Sequence, residues 1–518
     1  MVGQRILAIV QTGLVVAQND AHCSKFAVSF ADFRRKANPP LPIFGIIYAH
    51  VSFSGTQLVT KEVKMKVCKF GGSSLADAKQ LTKVMDIVLA DPTRRIVVVS
   101  APGKRDKNDT KVTDLLIALA KTALDGKDTT QALAAVVARY QSIATDLALE
   151  GDIIARIEQD LIARLAADKS NAGEFMDLLK AAGEDNNAKL VAEAFAARGV
   201  KARYASPKDT GMILEGEFGN AVLNPDSYKR LARALSDFEG LVVYPGFFGY
   251  TIDGRVATFP RGGSDITGSI LAAAVRADVY ENFTDVDSVY PVDPRIVPEV
   301  KEGIETMTYR EMRELSYAGF GVFNDEAIFP AVRARIPINV RNTNHPAEPG
   351  TMIVQTRRVT PGTVTGIASQ SGFCNICVDK YCMNREVGFC LRLLQILESE
   401  GVSYEHMPSG VDSVSVIIHS DNFDSAKEKR VVQRIKRELT PDEVVVQHDL
   451  AILMIVGEGM CFSAGMLAKV TQSLASAGIN LSMVNQGASE ISVMLAIRAE
   501  CRSDAVRALY HTFFGEQA

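Results

Sequence analysis

An internal repeat near the end of the chain constrains the fold more strongly than any other feature. Three glycines recur with one offset of 77 residues, as the pairs Gly388 and Gly465, Gly401 and Gly478, and Gly410 and Gly487. In each copy these glycines separate a strand pattern, an amphipathic helix and two further short strand patterns. Such a unit is predicted to form a small ferredoxin-like βαββαβ module, so the last third of the chain is expected to contain this module twice.

The region before the repeats alternates short apolar runs with helical patterns. The strand pattern "KVCKF" ends at Gly71 and Gly72 and is followed by the helical pattern "SLADAKQLTKVMDIVLA", and "RRIVVVSAPG" contains a strand that is apolar on both faces. This alternation predicts a layered α/β sheet. A glycine turn between a strand and a helix offers free N–H groups to an anion. The turn has neither the Walker spacing nor G-x-G-x-x-G, so alone it is weak evidence of a nucleotide site.

The composition restricts the classes of function. The chain has 518 residues, of which 47% are hydrophobic and 23% charged, enough for two to four globular domains. A net charge of −4 and a pI near 6.1 argue against binding of nucleic acid. Eight scattered cysteines favour a reducing, cytoplasmic location. No histidine lies between His50 and His345, which excludes a Ser/His/Asp or Cys/His triad built from that stretch alone.

The first 64 residues have a different character from the rest. An apolar run from Ile6 to Ala17 has the length of a signal-peptide core, but Gln11 and Thr12 interrupt it. The run is too short to span a bilayer, and no membrane association is expected. We interpret residues 1–64 as a disordered extension or a mis-assigned start and Met65 as the start of the folded protein. A cleaved targeting peptide is the alternative.

Charged and small polar residues recur where strands are predicted to end. Lys69 precedes the glycine turn, Ser100 follows the next strand, and Glu184 is predicted at the head of a helix in "AAGEDNNAKL". The motifs "RGGSD" and "FTDVDSVYPVDPR" come later. The carboxyl ends of parallel strands meet at one edge of a sheet, so these residues together predict a crevice for a nucleotide and a small charged substrate. Each residue taken alone is better explained as a solvated turn residue, and only the combination favours a site.

Six segments in order resemble the aspartate kinase family, which has the amino-acid kinase fold. They are "KFGGSS", "VVSAPGK", "VTDLL", "RGGSD", "FTDVDSVYPVDPR" and "ELSYAGFGVFNDEAIFPAVRARIPINVRNT". The resemblance extends from about Met65 to the end of the chain. It implies a three-layer α/β/α catalytic domain at residues 65–355, followed by two ferredoxin-like α+β modules of the ACT type at 362–440 and 448–518.

The family resemblance implies transfer of the ATP γ-phosphoryl group to the side-chain carboxylate of L-aspartate, which gives 4-phospho-L-aspartate. Lys69 would neutralise charge on the phosphoryl group and Asp265 would orient Lys69 or a Mg²⁺ shell. The acceptor carboxylate has a reference pKa of about 3.9 and is already ionised at neutral pH, so no general base is required. MgATP is the implied co-substrate, and no metal site built by the protein is expected.

The same resemblance assigns the binding residues. Glu184 would hold the α-ammonium of aspartate and Arg261 its α-carboxylate, because a guanidinium group matches a carboxylate bidentately. The aspartate contacts implied are Ser100, Thr113, Glu184, Arg261, Gly262, Gly263 and Ser264. The ATP contacts implied are Lys69, Gly71, Gly72, Ser73, Thr284, Asp285, Tyr290 and Arg295.

The repeats resemble ACT domains, the second more closely than the first. This implies feedback inhibition by an amino acid, lysine or threonine, and a homodimer or homotetramer formed through these modules. The candidate effector contacts are Met383, Gly388, Ser403, Tyr404 and Glu405. A purely structural role in dimerisation is the alternative.

Some features depart from the family pattern or allow another function. "GFGVFNDEA" places Gly321 and Asn324 where many members have a lysine followed by a histidine, which we interpret as a subtype. Cys374 and Cys377 form a lone C-x-x-C, which we interpret as packing cysteines because no second pair accompanies it. Another amino-acid kinase and a catalytically silent amino-acid sensor are the alternative functions. A fusion with homoserine dehydrogenase is disfavoured, because the repeats occupy the last third of the sequence.

Overall fold

The computed structural model describes residues 4–5, 50–51, 65–236, 238–320 and 325–515. The chain divides into two compact units, Met1–Glu62 and Val63–Ala518. In the first unit, Gln4–Arg5 (β1) pairs antiparallel with His50–Val51 (β2). Apart from these two strands, the interpretation of residues 1–64 lies outside the described residues, as does that of Gly321 and Asn324.

In the described part of the second unit, twelve strands and ten α-helices precede the repeats. The strands are β3 Lys66–Phe70, β4 Arg94–Val99, β5 Ala202–Tyr204, β6 Leu214–Glu217, β7 Asn220–Leu223, β8 Leu241–Pro245, β9 Phe248–Tyr250, β10 Val256–Thr258, β11 Val279–Thr284, β12 Thr306–Thr308, β13 Ile338–Asn342 and β14 Thr351–Val354. The helices are α1 Ala78–Leu89, α2 Val112–Leu124, α3 Thr130–Asp146, α4 Ile153–Leu165, α5 Ala172–Ala197, α6 Pro207–Thr210, α7 Ser227–Ser236, α8 Gly263–Val275, α9 Tyr309–Tyr317 and α10 Phe329–Ala334.

The region before the repeats is built on one eight-stranded sheet, with strand order β12-β14-β13-β11-β3-β4-β8-β5. Six neighbouring strands, from β13 to β5, are parallel, and β14 pairs antiparallel with β13. Successive residues of a strand face different apolar cores: Val67 lies in one core with α8, and Cys68 lies in the other with α1 and α5. The predicted three-layer α/β/α arrangement is therefore confirmed.

The order in which the chain adds strands to the sheet reverses next to β3, the strand near the middle of the sheet. The chain runs from β3 to β4 on one side and later places β11 on the other side of β3. In an open parallel sheet, a crevice forms outside the carboxyl ends of the strands at such a switch point. A binding site is therefore expected among the residues that follow β3, β4 and β11.

The repeats form a second, antiparallel sheet of five strands in the order β16-β15-β17-β19-β18. Their elements are β15 Gly366–Asp379, α11 Phe389–Ser399, β16 Ser413–His419, α12 Ser425–Leu439, β17 Glu443–Val456, α13 Met466–Ser476, β18 Met483–Asn485, β19 Ser492–Arg498 and α14 Arg502–Phe514. The equivalent helices α11 and α13 each have 11 residues. Each follows a left-handed glycine, Gly388 with φ 79° and Gly465 with φ 83°, so the glycine spacing predicted the local structure correctly.

The two repeats share long strands. The first part of β15 pairs with Ala451–Val456 of β17, and its second part pairs with the first half of β17, with register shifts around residues 371–375. Strand β17 runs through the predicted boundary between 440 and 448, so the domain limits remain a prediction. Cys374 and Cys377 both lie in β15, and Cys374 belongs to the apolar core of the first repeat.

The described part of the chain contains neither a membrane-spanning helix nor a metal-binding cluster of side chains. No helix there combines the length and the apolar character needed to cross a bilayer. No group of three or more His, Cys, Asp or Glu side chains there is arranged to hold a metal ion.

Candidate active site

An ion pair lies at the switch point of the sheet. Lys69, near the carboxyl end of β3, is 7% exposed, and its Nζ lies 2.7 Å from Oδ1 of Asp265. Asp265 is in the first turn of α8, where a negative charge interacts favourably with the helix dipole. A buried ammonium is costly unless it is paired, and Asp265 supplies that partner for Lys69 at the end of the strand. The structure brings these two predicted catalytic residues together.

A third side chain in this cluster was not predicted. Asn282 lies opposite Lys69 in the parallel pairing of β11 with β3 and is 1% exposed. Its Nδ2 donates to Asp265 Oδ1 at 2.6 Å, and its Oδ1 accepts from Lys69 Nζ at 3.4 Å. The sequence signal was weak, because Asn282 follows another polar residue, Glu281, in the strand "VYENFT".

The glycine turns after β3 and β4 touch each other through their main chains. Gly103 N donates to Gly72 O at 2.8 Å, and a Cβ on Gly103 would lie 2.5 Å from the carbonyl carbon of Gly72. A Cβ on Gly72 would lie 2.9 Å from Ala101 O. The glycines therefore permit a backbone contact that no side chain could accommodate, and they bring two strand ends together.

The segment Arg261–Ser264 forms the start of α8. Gly262 has φ 85° and no side chain caps the helix, which leaves N–H groups of the first turn without a side-chain partner. Ser264 packs against Gly246, because a Cβ on Gly246 would lie 2.5 Å from Ser264 Oγ. Arg261 is exposed. The start of the helix is thus held against the residue that follows β8 and is suited to an anionic group.

The prediction that Glu184 lies at the head of a helix is wrong. Helix α5 has 26 residues and places Glu184 in its interior. The polar run that suggested a helix start is instead buried, since Glu184, Asp185, Asn186 and Asn187 are each at most 5% exposed. The three polar residues after Glu184 are tolerated here because they have partners, as when Asn187 Nδ2 donates to Ser100 O at 2.7 Å.

Glu184 is nevertheless close to the end of β4 and is chemically unusual. Burial raises its pKa to about 8, although a backbone hydrogen bond from Ala101 favours the ionised form. Its Oε2 is buried and has no hydrogen-bond partner among the described residues. A carboxylate in this state is suited to an incoming cationic group, which would supply the missing partner.

The remaining predicted aspartate and phosphate contacts lie around the same strand ends. Ser100 follows β4, and Val112 at the start of α2 is tied to this loop by a bond from its N to Pro102 O of 3.1 Å. Thr113 is the next residue of α2 and is partly buried. Ser73 is exposed in a short 3-10 helix, Gly72–Leu75, directly after the first glycine turn.

The predicted nucleotide segment divides into two parts. Thr284 ends β11, and its hydroxyl donates to Asp285 at 3.2 Å, so this part lies at the crevice. Tyr290 instead packs against the apolar core of the second repeat. The side chain of Arg295 is 89% exposed and pairs with Asp293. The structure therefore does not bring Tyr290 and Arg295 into the Lys69 cluster, and their ATP contacts remain predictions.

The predicted effector residues lie in the first repeat. Met383 is 5% exposed and belongs to the core of this repeat, Gly388 caps α11, and Ser403 and Tyr404 are exposed. The carboxylate of Glu405 accepts a hydrogen bond from the hydroxyl of Tyr317, at the end of α9. This contact connects the segment of predicted effector residues directly to helix α9 of the region before the repeats.

Family models match both parts of the chain. A model of the amino acid kinase family matches residues 64–342, and a model of the ACT domain matches residues 453–513. Aspartokinase 3 of Bacillus subtilis (strain 168) is 53% identical over 450 residues, which cover 87% of this chain and 99% of that protein.

Solved structures agree with these matches. The crystal structure of Clostridium acetobutylicum aspartate kinase has a TM-score of 0.75 and 36% identity, and the match covers 87% of this chain and 100% of that one. Escherichia coli aspartokinase III in complex with aspartate and ADP has a TM-score of 0.68 and 26% identity, with the same coverage. The same enzyme in complex with lysine and aspartate has a TM-score of 0.69 at 25% identity. The chain therefore belongs to the amino acid kinase family and, within it, to the aspartate kinases.

Proposed function

We propose that the chain transfers the γ-phosphoryl group of ATP to the side-chain carboxylate of L-aspartate and that Lys69 is the central catalytic group. The observation that carries this proposal is the buried Lys69–Asp265 ion pair at the switch point of the sheet, with a distance of 2.7 Å. It occurs in a chain that is 53% identical to an aspartokinase over nearly the whole of that protein.

The reaction requires screening of charge rather than proton removal. The acceptor carboxylate and the γ-phosphoryl group are both anionic, and a carboxylate is ionised at neutral pH. Lys69 would attract both partners, and the uncapped start of α8 would add N–H donors. The oxygen of the acceptor attacks phosphorus while the bond to the ADP oxygen breaks, so an acyl phosphate and ADP are formed.

The two ends of aspartate require opposite charges. Glu184 would receive the α-ammonium, because its buried Oε2 has no partner among the described residues. Arg261 would bind the α-carboxylate bidentately. We assign supporting contacts to the strand-end and helix-start residues Ser100, Thr113, Gly262, Gly263 and Ser264.

On the nucleotide side, the glycine turn and the end of β11 are suited to phosphate groups. Gly71, Gly72 and Ser73 would donate from the main chain and a hydroxyl, and Thr284 and Asp285 would lie at the phosphates. Mg²⁺ would enter as part of MgATP and neutralise phosphate charge, and the exposed Asp285 carboxylate is suited to a contact with it.

The repeats support regulation by an amino acid. The E. coli relative was solved with lysine, and we propose lysine or threonine as the effector of this chain. The contacts proposed are at Met383, Gly388, Ser403, Tyr404 and Glu405. We also propose a cytoplasmic homodimer or homotetramer formed through the ACT modules, which gel filtration with light scattering would test.

A hydroxamate assay tests the reaction directly. Purified protein is incubated with MgATP, L-aspartate and hydroxylamine, which traps an acyl phosphate, and L-glutamate replaces aspartate in the control. We expect aspartate-dependent hydroxamate, inhibition by lysine or threonine added singly, and loss of turnover in a folded Lys69→Ala variant. Phosphorylation of a different acceptor while aspartate stays unmodified would refute the proposal.

A further inference from the structure

We infer that Asn282 is a positioning residue for phosphoryl transfer: its amide joins Lys69 to Asp265 and fixes the direction in which the Lys69 ammonium group is presented. This inference rests on the proposed function of Lys69 and goes beyond the roles assigned above. Asn282 would not itself touch the substrates. It acts through the two side chains that it holds.

The amide of Asn282 uses both of its functional atoms in this cluster. Nδ2 donates to Asp265 Oδ1 at 2.6 Å, and Oδ1 accepts from Lys69 Nζ at 3.4 Å, while Nζ lies 2.7 Å from the same Asp265 oxygen. Three groups therefore form a closed ring of contacts. The side chain that completes this ring must both donate and accept, and the amide of asparagine does both from the neighbouring strand.

Counting the protons of the ammonium group shows what this ring achieves. An ammonium carries three N–H groups, of which one is directed to Asp265 and a second to Asn282. The third is left for a ligand. The nearby Gly71 has no side chain, and a Cβ there would lie 3.6 Å from Nζ, so this turn leaves the space beside the ammonium open. With Asn282 absent, a second N–H could rotate away, and the ammonium would no longer be directed by two fixed partners.

Strand β11 holds Asp265 at two points. Tyr280 and Asn282 are two residues apart and therefore lie on the same face of the strand. The hydroxyl of Tyr280 donates to the main-chain oxygen of Asp265 at 3.2 Å, and Asn282 holds its carboxylate. A residue needed only for packing would be apolar here, since burying an amide costs free energy unless its hydrogen bonds are made. The two adjacent contacts to one residue point to a role in fixing Asp265.

The test compares two variants of Asn282 with a matched control. Asn282→Leu removes both polar contacts at similar volume, and Asn282→Asp keeps the size but removes the donor. Asn339→Leu on β13 is the control, because Asn339 lies in the same sheet and its buried side-chain oxygen has no partner among the described residues. Thermal melting checks folding, and the hydroxamate assay gives kcat and KM for aspartate.

We expect kcat of Asn282→Leu to fall about 10- to 100-fold with little change in KM for aspartate, as for loss of a hydrogen bond to a charged group. The control variant Asn339→Leu should have the same kcat as the parent. Unchanged kcat in both folded Asn282 variants, or a rise in KM alone, would overturn the inference. Absence of aspartyl hydroxamate from the parent would instead refute the proposed function.

The Asn282→Asp variant adds a second measurement, the pH dependence of kcat. This dependence would not change if Asn282 only supported the fold. The variant places two carboxylates side by side, facing Lys69 of β3 and the Tyr280 hydroxyl, and such a pair tends to share a proton. Once protonated, the new side chain can again donate to Asp265. We therefore expect the ratio of kcat between Asn282→Asp and the parent to rise as the pH falls from 8 to 6, while the ratio for Asn282→Leu stays flat. Equal pH profiles for both variants would count against the role.

Discussion

Replacing Glu184 with glutamine should change how stability depends on pH. Burial raises the pKa of Glu184 to about 8 in the folded chain, whereas its ordinary value is 4.5. The folded state therefore holds a proton that the unfolded state has already lost. The proton bound to Glu184 stabilises the folded state relative to the unfolded state. This stabilisation is complete below pH 4.5 and is lost progressively as the pH rises to about 8. Relative to acid pH, the loss is about 3 kcal/mol at pH 7 and about 5 kcal/mol well above pH 8.

The assay is urea unfolding of parent and Glu184→Gln between pH 5 and pH 9, without ligands. Glutamine cannot ionise, so the free energy of unfolding of the variant minus that of the parent should increase by about 3 kcal/mol between pH 5 and pH 8. The change in this difference with pH is the diagnostic quantity, because it removes any constant cost of burying the amide. Parallel curves for the two proteins would refute the assignment of an uncharged Glu184 to the folded state.

Binding of aspartate should be coupled to loss of the proton from Glu184. If the α-ammonium of aspartate binds at Glu184, it favours the ionised carboxylate, and at pH 7 binding should release close to one proton. Calorimetry in two buffers of different ionisation enthalpy measures this release. The glutamine variant should show weaker binding and no release from this site. Tight binding by the variant with the same proton release as the parent would show that the ammonium binds elsewhere.

Three further predictions concern other parts of the structure. Glu311→Ala should lower the free energy of unfolding by about 3–5 kcal/mol in urea melts, because it leaves Arg357 without its buried partner. Gly103→Ala should reduce kcat in the hydroxamate assay, since its Cβ would lie 2.5 Å from the main chain of Gly72 and separate the turns. Tyr317→Phe should keep uninhibited activity but shift the inhibitor concentration that halves it, because its hydroxyl contacts the first repeat.

Local patterns were sufficient for much of the architecture. The 77-residue offset identified equivalent helices, and the glycines before them adopt the left-handed conformation that this residue type permits. Lys69 and Asp265 were assigned together from the family resemblance, on the short motifs "KFGGSS" and "RGGSD" that contain them. These features depend on neighbours within a few residues, which a single sequence records.

The contacts that sequence reasoning missed depend on how distant strands register. Asn282 becomes informative only when β11 pairs with β3 so that it lies opposite Lys69. The turn glycines were visible, but nothing local indicated that Gly72 touches Gly103. Glu184 was assigned to a helix start because polar runs favour such positions, yet burial against the strand ends outweighed that local preference.

Helix α9 contacts both repeats through side chains at its start, its middle and its end. At its start, Glu458 N of the second repeat donates to Glu311 Oε1 at 3.0 Å. In its middle, Ser492 Oγ of the same repeat donates to Glu314 at 3.0 Å. At its end, the Tyr317 hydroxyl contacts the first repeat. Two of these three anchors lie in the second repeat, so a movement of the first repeat can break the Tyr317 contact while the others hold.

The two ends of α9 also differ in burial, and this difference again makes the contact with the first repeat the easier one to break. Glu311 is fully buried and its carboxylate accepts from Arg357 at 2.7 Å, whereas Tyr317 is 41% exposed. Breaking the first contact leaves an uncompensated buried charge, while breaking the second returns a hydroxyl and a carboxylate to water. The end of α9 at the first repeat is therefore the end that an effector could release at small cost. The two arrangements are those with the Tyr317 contact made and with it broken. If the proposed effector binds in the first repeat, a modest difference in its affinity for these two arrangements is enough to shift the enzyme between them.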